Sequence, residues 1–116
     1  MILFFVKINA LPEKHKELCQ TIHSIIAQVR QERGCLESNF YRNADSENEI
    51  FLFEAWENQK ALDAHLQSIR FTVLIGARSL MRRPPKITIH SVSQSSQLVA
   101  ENSKIQVSKL GIQSLE

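Results

Sequence analysis

Apolar residues dominate Ile2 to Asn9, several of them β-branched or aromatic, and this stretch predicts a buried strand. Pro12 marks a turn and suits the first turn of a helix. From about Glu13 to Arg33 the apolar positions are Leu18, Ile22, Ile25, Ile26 and Val29, in steps of three and four that form one helical stripe. Gly34 follows and fits a left-handed helix cap. Cys35 to Arg42 predicts a strand, Asn43 to Asn48 a polar turn, and Glu49 to Glu57 a second strand, together a hairpin. Asn58 is placed to cap the next helix, because its side chain accepts from free amide groups of the first turn. Ala61, Leu62, His65, Leu66 and Ile69 hold helical spacing, and Phe71, Leu74, Ile75 and Arg78 continue it after a bend near Ser68. Pro84 and Pro85 end the helical run, and Lys86 to Val92 alternates around Ile87 and Ile89 as a last strand.

The order is strand, long helix, two strands, a helical pair and a strand. An α+β, ferredoxin-like β-α-β-β-α-β sandwich over residues 1–92 satisfies it, with the helices on one sheet face. Phe4, Phe51 and Phe53, with their alternates, imply apolar side chains on both faces. A bare apolar face would be a large exposed patch, so a second copy of the chain is the expected cover, as a homodimer. Residues 93–103 read as a polar linker. Lys104 to Leu110 alternates weakly and is consistent with an added strand or a mobile tail.

Composition changes this picture little. With 116 residues, 43% hydrophobic and 22% charged, the chain is an ordinary single globular domain. A net charge of +2 gives no case for nucleic acid or a membrane surface. Two cysteines, Cys19 and Cys35, read as reduced thiols, and a cytoplasmic location is expected. The apolar start is interrupted at Lys7 and reads as a strand rather than a signal peptide. No apolar run reaches membrane-spanning length.

Three stretches carry a resemblance: Glu32-Arg33-Gly34-Cys35-Leu36, Phe53-Glu54-Ala55-Trp56-Glu57, and Ala61-Leu62-Asp63-Ala64-His65-Leu66 with Phe71. In this combination and spacing the chain resembles the antibiotic biosynthesis monooxygenase (ABM) domain family, in particular its quinol-monooxygenase-like branch, over roughly residues 2–92. The resemblance implies a dimeric α/β-barrel with a pocket in each subunit between sheet and helices. It also implies oxygenation of quinol-like aromatics without metal or flavin, so no cofactor is expected. Other branches degrade haem or isomerise a small phosphorylated sugar. The haem-degrading branch carries asparagine, tryptophan and histidine where this chain aligns Lys7, His65 and Ile75, which argues against haem breakdown. Of the polar set used by polyketide-acting members, Trp56 alone has a defensible counterpart.

The candidate catalytic residues are His65, Trp56 and Glu54. An imidazole titrating near neutrality can take or relay a phenolic proton, though a helix histidine is often a structural hydrogen-bonding group. Trp56 is either a stacking wall for an aromatic ring or a core residue closing the junction of sheet and helix. Glu54 shares its strand face with Trp56 and is placed to orient His65 or an arginine such as Arg78. Glu57 faces the other way. Asn39 and Tyr41 share one face of their strand, Ser38 and Phe40 the other, and either pair could reach a pocket. His15, Cys19 and His23 step by four but drift around the helix, a poor zinc set, and no metal site is expected. Cys35 has no adjacent base to make it a nucleophile. His90 reads as a surface residue, and Arg82, Arg83 and Lys86 read as a solvated basic loop. The expected function is cofactor-independent monooxygenation of a small quinol or polyphenol. The alternatives are a non-catalytic dimeric module that binds a small aromatic ligand, or an isomerase of a small carbonyl compound.

Overall fold

In the computed structural model, which describes residues 1–101 and 104–110, the N-terminal apolar run becomes strand β1 (Ile2–Asn9), an inner strand of a four-stranded antiparallel sheet. Its partners are β3 (Ser46–Trp56) on one side and β4 (Lys86–Ser91) on the other, and β2 (Cys35–Asn43) lies outside β3, giving the order β2-β3-β1-β4. Between the strands run α1 (His15–Val29), α2 (Gln59–Leu66) and α3 (Ile69–Gly76), with short 3-10 turns at Pro12–Lys14 and Ala77–Leu80. This is the ferredoxin-like α+β arrangement that the order of elements predicts.

The core follows from two periodicities meeting. Every second residue of β1 (Ile2, Phe4, Val6, Ile8) and of β3 (Ile50, Leu52, Glu54, Trp56) is buried on the helix side. The α1 stripe of Leu18, Ile22, Ile26 and Val29 packs onto the same cluster. Each such aliphatic side chain removed from water contributes about 1.5–3 kcal/mol, against the entropy of ordering it.

Helix α1 ends earlier than its pattern predicts, at Val29 rather than Arg33. The segment after it turns tightly, with the amides of Arg30, Gln31 and Glu32 donating to the carbonyls of Ile26, Gln28 and Val29. Gly34 does adopt the left-handed conformation (φ 85°), but inside this turn rather than as the cap of α1. A Cβ there would stand 2.5 Å from that of Ala61, so glycine is required by close approach as well as by φ. The Gly34 carbonyl accepts from the amide of Glu57, tying the turn to the end of β3.

The hairpin is tighter than the polar stretch suggests, since β3 begins at Ser46 and Asn43 pairs with Ser46 after a register shift. Asn58 caps α2 as expected, its Oδ1 accepting from the Ala61 amide at 2.9 Å. Ser68 makes the bend and caps α3, its Oγ accepting from the Phe71 amide at 3.3 Å.

Among the described residues, the opposite sheet face carries no helix. Phe5 stands opposite Phe53 on β3 and Thr88 on β4, Lys7 opposite Phe51, and Tyr41 opposite Phe51 on its other side. Phe5, Phe51 and Tyr41 are exposed. Residues 95–101, expected as linker, form β5 (Ser95–Glu101), which pairs antiparallel with β6 (Lys104–Leu110) as a separate two-stranded sheet. The linker and tail expectations for residues 102–103 and 111–116 lie outside the described residues. No helix among the described residues is long and apolar enough to cross a membrane.

Candidate functional site

The buried side of β3 is apolar except at Glu54, and that exception organises the site. Strand alternation puts Glu54 and Trp56 on the same face, and the Trp56 indole N–H donates to Glu54 Oε1 at 3.0 Å. Helix α2 starts two residues beyond β3, and its one buried polar residue, His65, comes down on this pair. The imidazole stacks on the indole with ring centres 4.7 Å apart. The rings of Phe4 and Phe71 approach it edge-on. His65 Nε2 lies 3.2 Å from Glu54 Oε1, and Nδ1 lies 2.9 Å from Glu32 Oε2. Arg70, from the first turn of α3, donates to the same Glu32 oxygen at 2.8 Å. Glu54 and His65 are sealed from solvent, whereas Glu32 and Arg70 reach the rim.

This geometry fixes the protonation chemistry. A neutral imidazole has one donor and one lone pair. With a carboxylate at each nitrogen, the second would meet oxygen with its lone pair, and the imidazolium satisfies both. Burial is the largest single influence on His65 and pulls its pKa down. The hydrogen bonds and charges of Glu54 and then Glu32 outweigh it, and the net pKa is raised above that of an ordinary histidine. The ring therefore holds its proton where a free imidazole has released it. It bridges one carboxylate inside the protein and one at the rim.

Beside the cluster lies a narrow cleft between α1 and α3, floored by β2 and β3. Ile22, Ile25, Ile26, Val29, Leu52, Phe71 and Leu74 form its apolar walls, and Ser38, Glu54, His65 and Arg70 are its polar groups. Its free volume of about 10 Å³ is the room of roughly one water. A wider groove of about 390 Å³ lies on the surface at the start of α2, lined by Arg33, Gly34, Glu57, Asn58, Lys60, Ala61 and Ala64. It contains none of the three candidate residues, and its charges are exposed and mixed in sign.

The three candidates, His65, Trp56 and Glu54, are thus brought into mutual contact. Trp56 has one ring face against His65 and is fully buried, so it supports the imidazole rather than offering a wall to a ligand. Arg78 does not reach Glu54; its Nη1 donates to the Met81 carbonyl at 3.2 Å. Ser38 and Phe40 face the helices, whereas Asn39 and Tyr41 face the open side, where Asn39 Oδ1 accepts from Arg30 at 2.8 Å. His15 bonds the Pro12 carbonyl at 2.8 Å and His23 meets the Phe40 ring edge-on, so the helical His-Cys-His spacing does not converge. Burial, then the charges of Glu54 and Glu32, push the Cys35 thiol up to about 11, the opposite of an activated nucleophile. His90 is exposed on the open face, edge-on to Phe5, and Arg82, Arg83 and Lys86 are exposed.

Glu32 and Arg70 are the site residues that sequence reasoning did not single out, whereas Ser38 belongs to one of the two strand pairs left open, and the structure turns that pair to the cleft. Glu32 had a signal: it stands three residues after Val29, on the continuation of the α1 apolar stripe, where a charge is out of place. Because α1 stops at Val29, Glu32 can turn inward. Arg70 carries no comparable mark.

Comparison with known proteins agrees with this architecture. The family model described as antibiotic biosynthesis monooxygenase matches residues 1–75. The uncharacterised protein sll1783 of Synechocystis is 29% identical over 92 residues, which is 78% of this chain and 63% of that protein. The chain thus spans less than two-thirds of that relative's length. Among solved structures, an antibiotic biosynthesis monooxygenase-like protein of Deinococcus radiodurans superposes with a TM-score of 0.78 at 22% identity, covering 85% of this chain and 99% of that one. One from Nitrosomonas europaea gives 0.75 at 19% identity, covering 79% and 98%. At these identities the likeness to the two structures is one of fold.

Proposed function

The chain belongs to the antibiotic biosynthesis monooxygenase family, and from that membership we propose that it is a cofactor-independent monooxygenase of a small quinol or polyphenol, with Glu54 and His65 moving the proton. The observation that carries this reading is the bridge of His65 between two carboxylates, one in the cleft and one at the rim. A quinol hydroxyl in the cleft gives its proton to Glu54. Glu54 keeps that proton, and with its charge gone the His65 imidazolium, already protonated at Nε2, releases its Nδ1 proton to Glu32, which reaches solvent. The quinolate left behind is electron-rich and reduces dioxygen. One oxygen atom enters the ring and the other leaves as water, so a quinol and O2 give a hydroxyquinone and H2O. The quinol supplies all the electrons. His65 is then a donor coupled to Glu54 by charge rather than a free base, and the nearby Arg70 cation favours the anion as it forms.

The test is oxygen uptake by metal-free protein with a panel of hydroquinones. Uptake above autoxidation is expected, falling at least about a hundredfold in His65→Ala and Glu54→Gln, in the range typical of a positioned proton-transfer group. Uptake no faster than autoxidation, or undiminished in both variants, removes the reading. The apolar walls of the cleft favour one second reading, a non-catalytic module with a small aromatic ligand laid along them. It is distinguished by ligand-induced thermal stabilisation without turnover.

In either case the aromatic open face needs a cover, and a second copy of the chain, face to face, is the proposed one. Residues 1–92 are the proposed domain unit, with residues 93–116 as an addition to it.

A further inference from the structure

Ser38 is 1% exposed, and its hydroxyl has no hydrogen-bond partner among the described residues. Such groups are rare inside folded proteins, where nearly every buried hydroxyl finds an acceptor or donor. Ser38 is held in place by its backbone: it stands directly opposite Glu54 in the β2–β3 register, and its carbonyl accepts from Arg30 Nε at 2.8 Å. Directly opposed strand residues have Cβ atoms about 5 Å apart and share a face. Ser38 also lines the cleft that contains Glu54 and His65. A free hydroxyl, a carboxylate and an imidazolium therefore converge on a space whose other lining is mostly aliphatic and aromatic.

We propose that Ser38, Glu54 and His65 form a subsite that reads one hydroxyl group of the ligand, and that Ser38 is its specificity-determining residue. The ligand class is a hydroxylated aromatic ring. This inference deepens the quinol reading and rests on it for the identity of the ring. The space at the floor fits a single hydroxyl-sized group, which donates to Glu54 and accepts from Ser38. The apolar walls from α1 and α3 are the surface along which a ring would lie, with Ile25, Arg70 and Phe71 only partly buried at the outer side. An apolar isostere placed there leaves Ser38 and Glu54 without their new partner, and discrimination by unpaired buried groups exceeds that by shape alone.

The experiment titrates the full-length protein with phenol and with toluene, followed by amide chemical shifts, in the wild type, Ser38→Ala and Ser38→Thr. Phenol is expected to bind at least about tenfold tighter than toluene to the wild type. Ser38→Ala should weaken phenol about tenfold and leave toluene unchanged or tighter, the size of one lost hydrogen bond. Ser38→Thr keeps the hydroxyl and should keep the preference for phenol. The same alanine variant should raise KM for hydroquinone more than it lowers kcat. Equal binding of phenol and toluene, binding of neither, or equal weakening of both by Ser38→Ala overturns the subsite. Discrimination of phenol that depends on Ser38, without any oxygen uptake, supports the subsite and sinks the monooxygenase reading alone.

Discussion

Phe53 and Glu54 are neighbours in one strand and belong to different surfaces. Glu54 points under the helices, where its carboxylate is met by an indole N–H and an imidazole and the surrounding side chains exclude water. Phe53 points to the bare side, its ring tilted 41° against that of Phe5 with centres 5.1 Å apart, and Phe5 itself is exposed. The covered face buries charge and the open face exposes aromatic carbon, each against the usual tendency. Buried charge persists only where it is paired and hydrogen-bonded, and Glu32, His65, Glu54 and Arg70 are paired in sequence. Exposed aromatic surface is stable in solution when a partner removes it from water. In the proposed function the two faces divide the work: proton chemistry inside, self-recognition outside.

The strongest test of that division is to remove charge from the inside. Glu54→Ala leaves the imidazolium short of one partner and the indole N–H unpaired. A loss of about 3–5 kcal/mol in unfolding free energy is expected, read by urea denaturation. A loss below about 1 kcal/mol would mean that the cluster is not held together by its charges. On the other face, Phe5→Glu should weaken self-association by at least about 30-fold, the scale of a central aromatic contact, with the subunit fold intact. Sedimentation velocity at micromolar concentration reads this directly. A wild-type chain that sediments as a monomer there breaks the comparison, because the open face would then be stable uncovered.

The third test is pH. His65 has a raised pKa in the folded state, so its contribution to stability is fully present below its unfolded value of about 6.5. That contribution is lost as pH rises through the folded value. Each unit of elevation corresponds to about 1.4 kcal/mol. The difference in Tm between the wild type and His65→Gln should therefore shrink from pH 6 towards pH 9, and a constant difference would show that the ring is neutral throughout. The smallest effect is expected at the rim. Arg70→Gln removes a cation that shares Glu32 Oε2 with His65, so His65 should hold its proton to higher pH, at a stability cost of about 1 kcal/mol or less. Imidazole NMR titration measures the direction, and an unchanged or lowered midpoint would show that Arg70 does not act on His65.

Much of the fold was legible from local pattern. The α1 stripe, the Asn58 cap, the break at Ser68 and the last strand each rest on interactions within a few residues. The errors fell where distant contacts intervene. Helix α1 stops at Val29, and the turn beyond it is fixed by the approach of Gly34 to Ala61 and by the amide of Glu57, both more than twenty residues away. Of the site, the sequence singled out Glu54, Trp56 and His65 through strand alternation and a short connection. It did not place Arg70, because nothing in its neighbourhood differs from an ordinary surface arginine, and it left Ser38 as one of two alternatives, because alternation alone does not say which face is in.

What the sequence alone determined is which residues share a face, since the periods of helix and strand are set by backbone geometry. It could say that Ser38 and Phe40 go one way and Asn39 and Tyr41 the other. Only the tertiary structure decided which way is in, because that depends on where the helices land on the sheet. The same docking turned Glu32 inward, set His65 on Trp56, and made two carboxylates and an imidazole, far apart along the chain, into one hydrogen-bonded cluster.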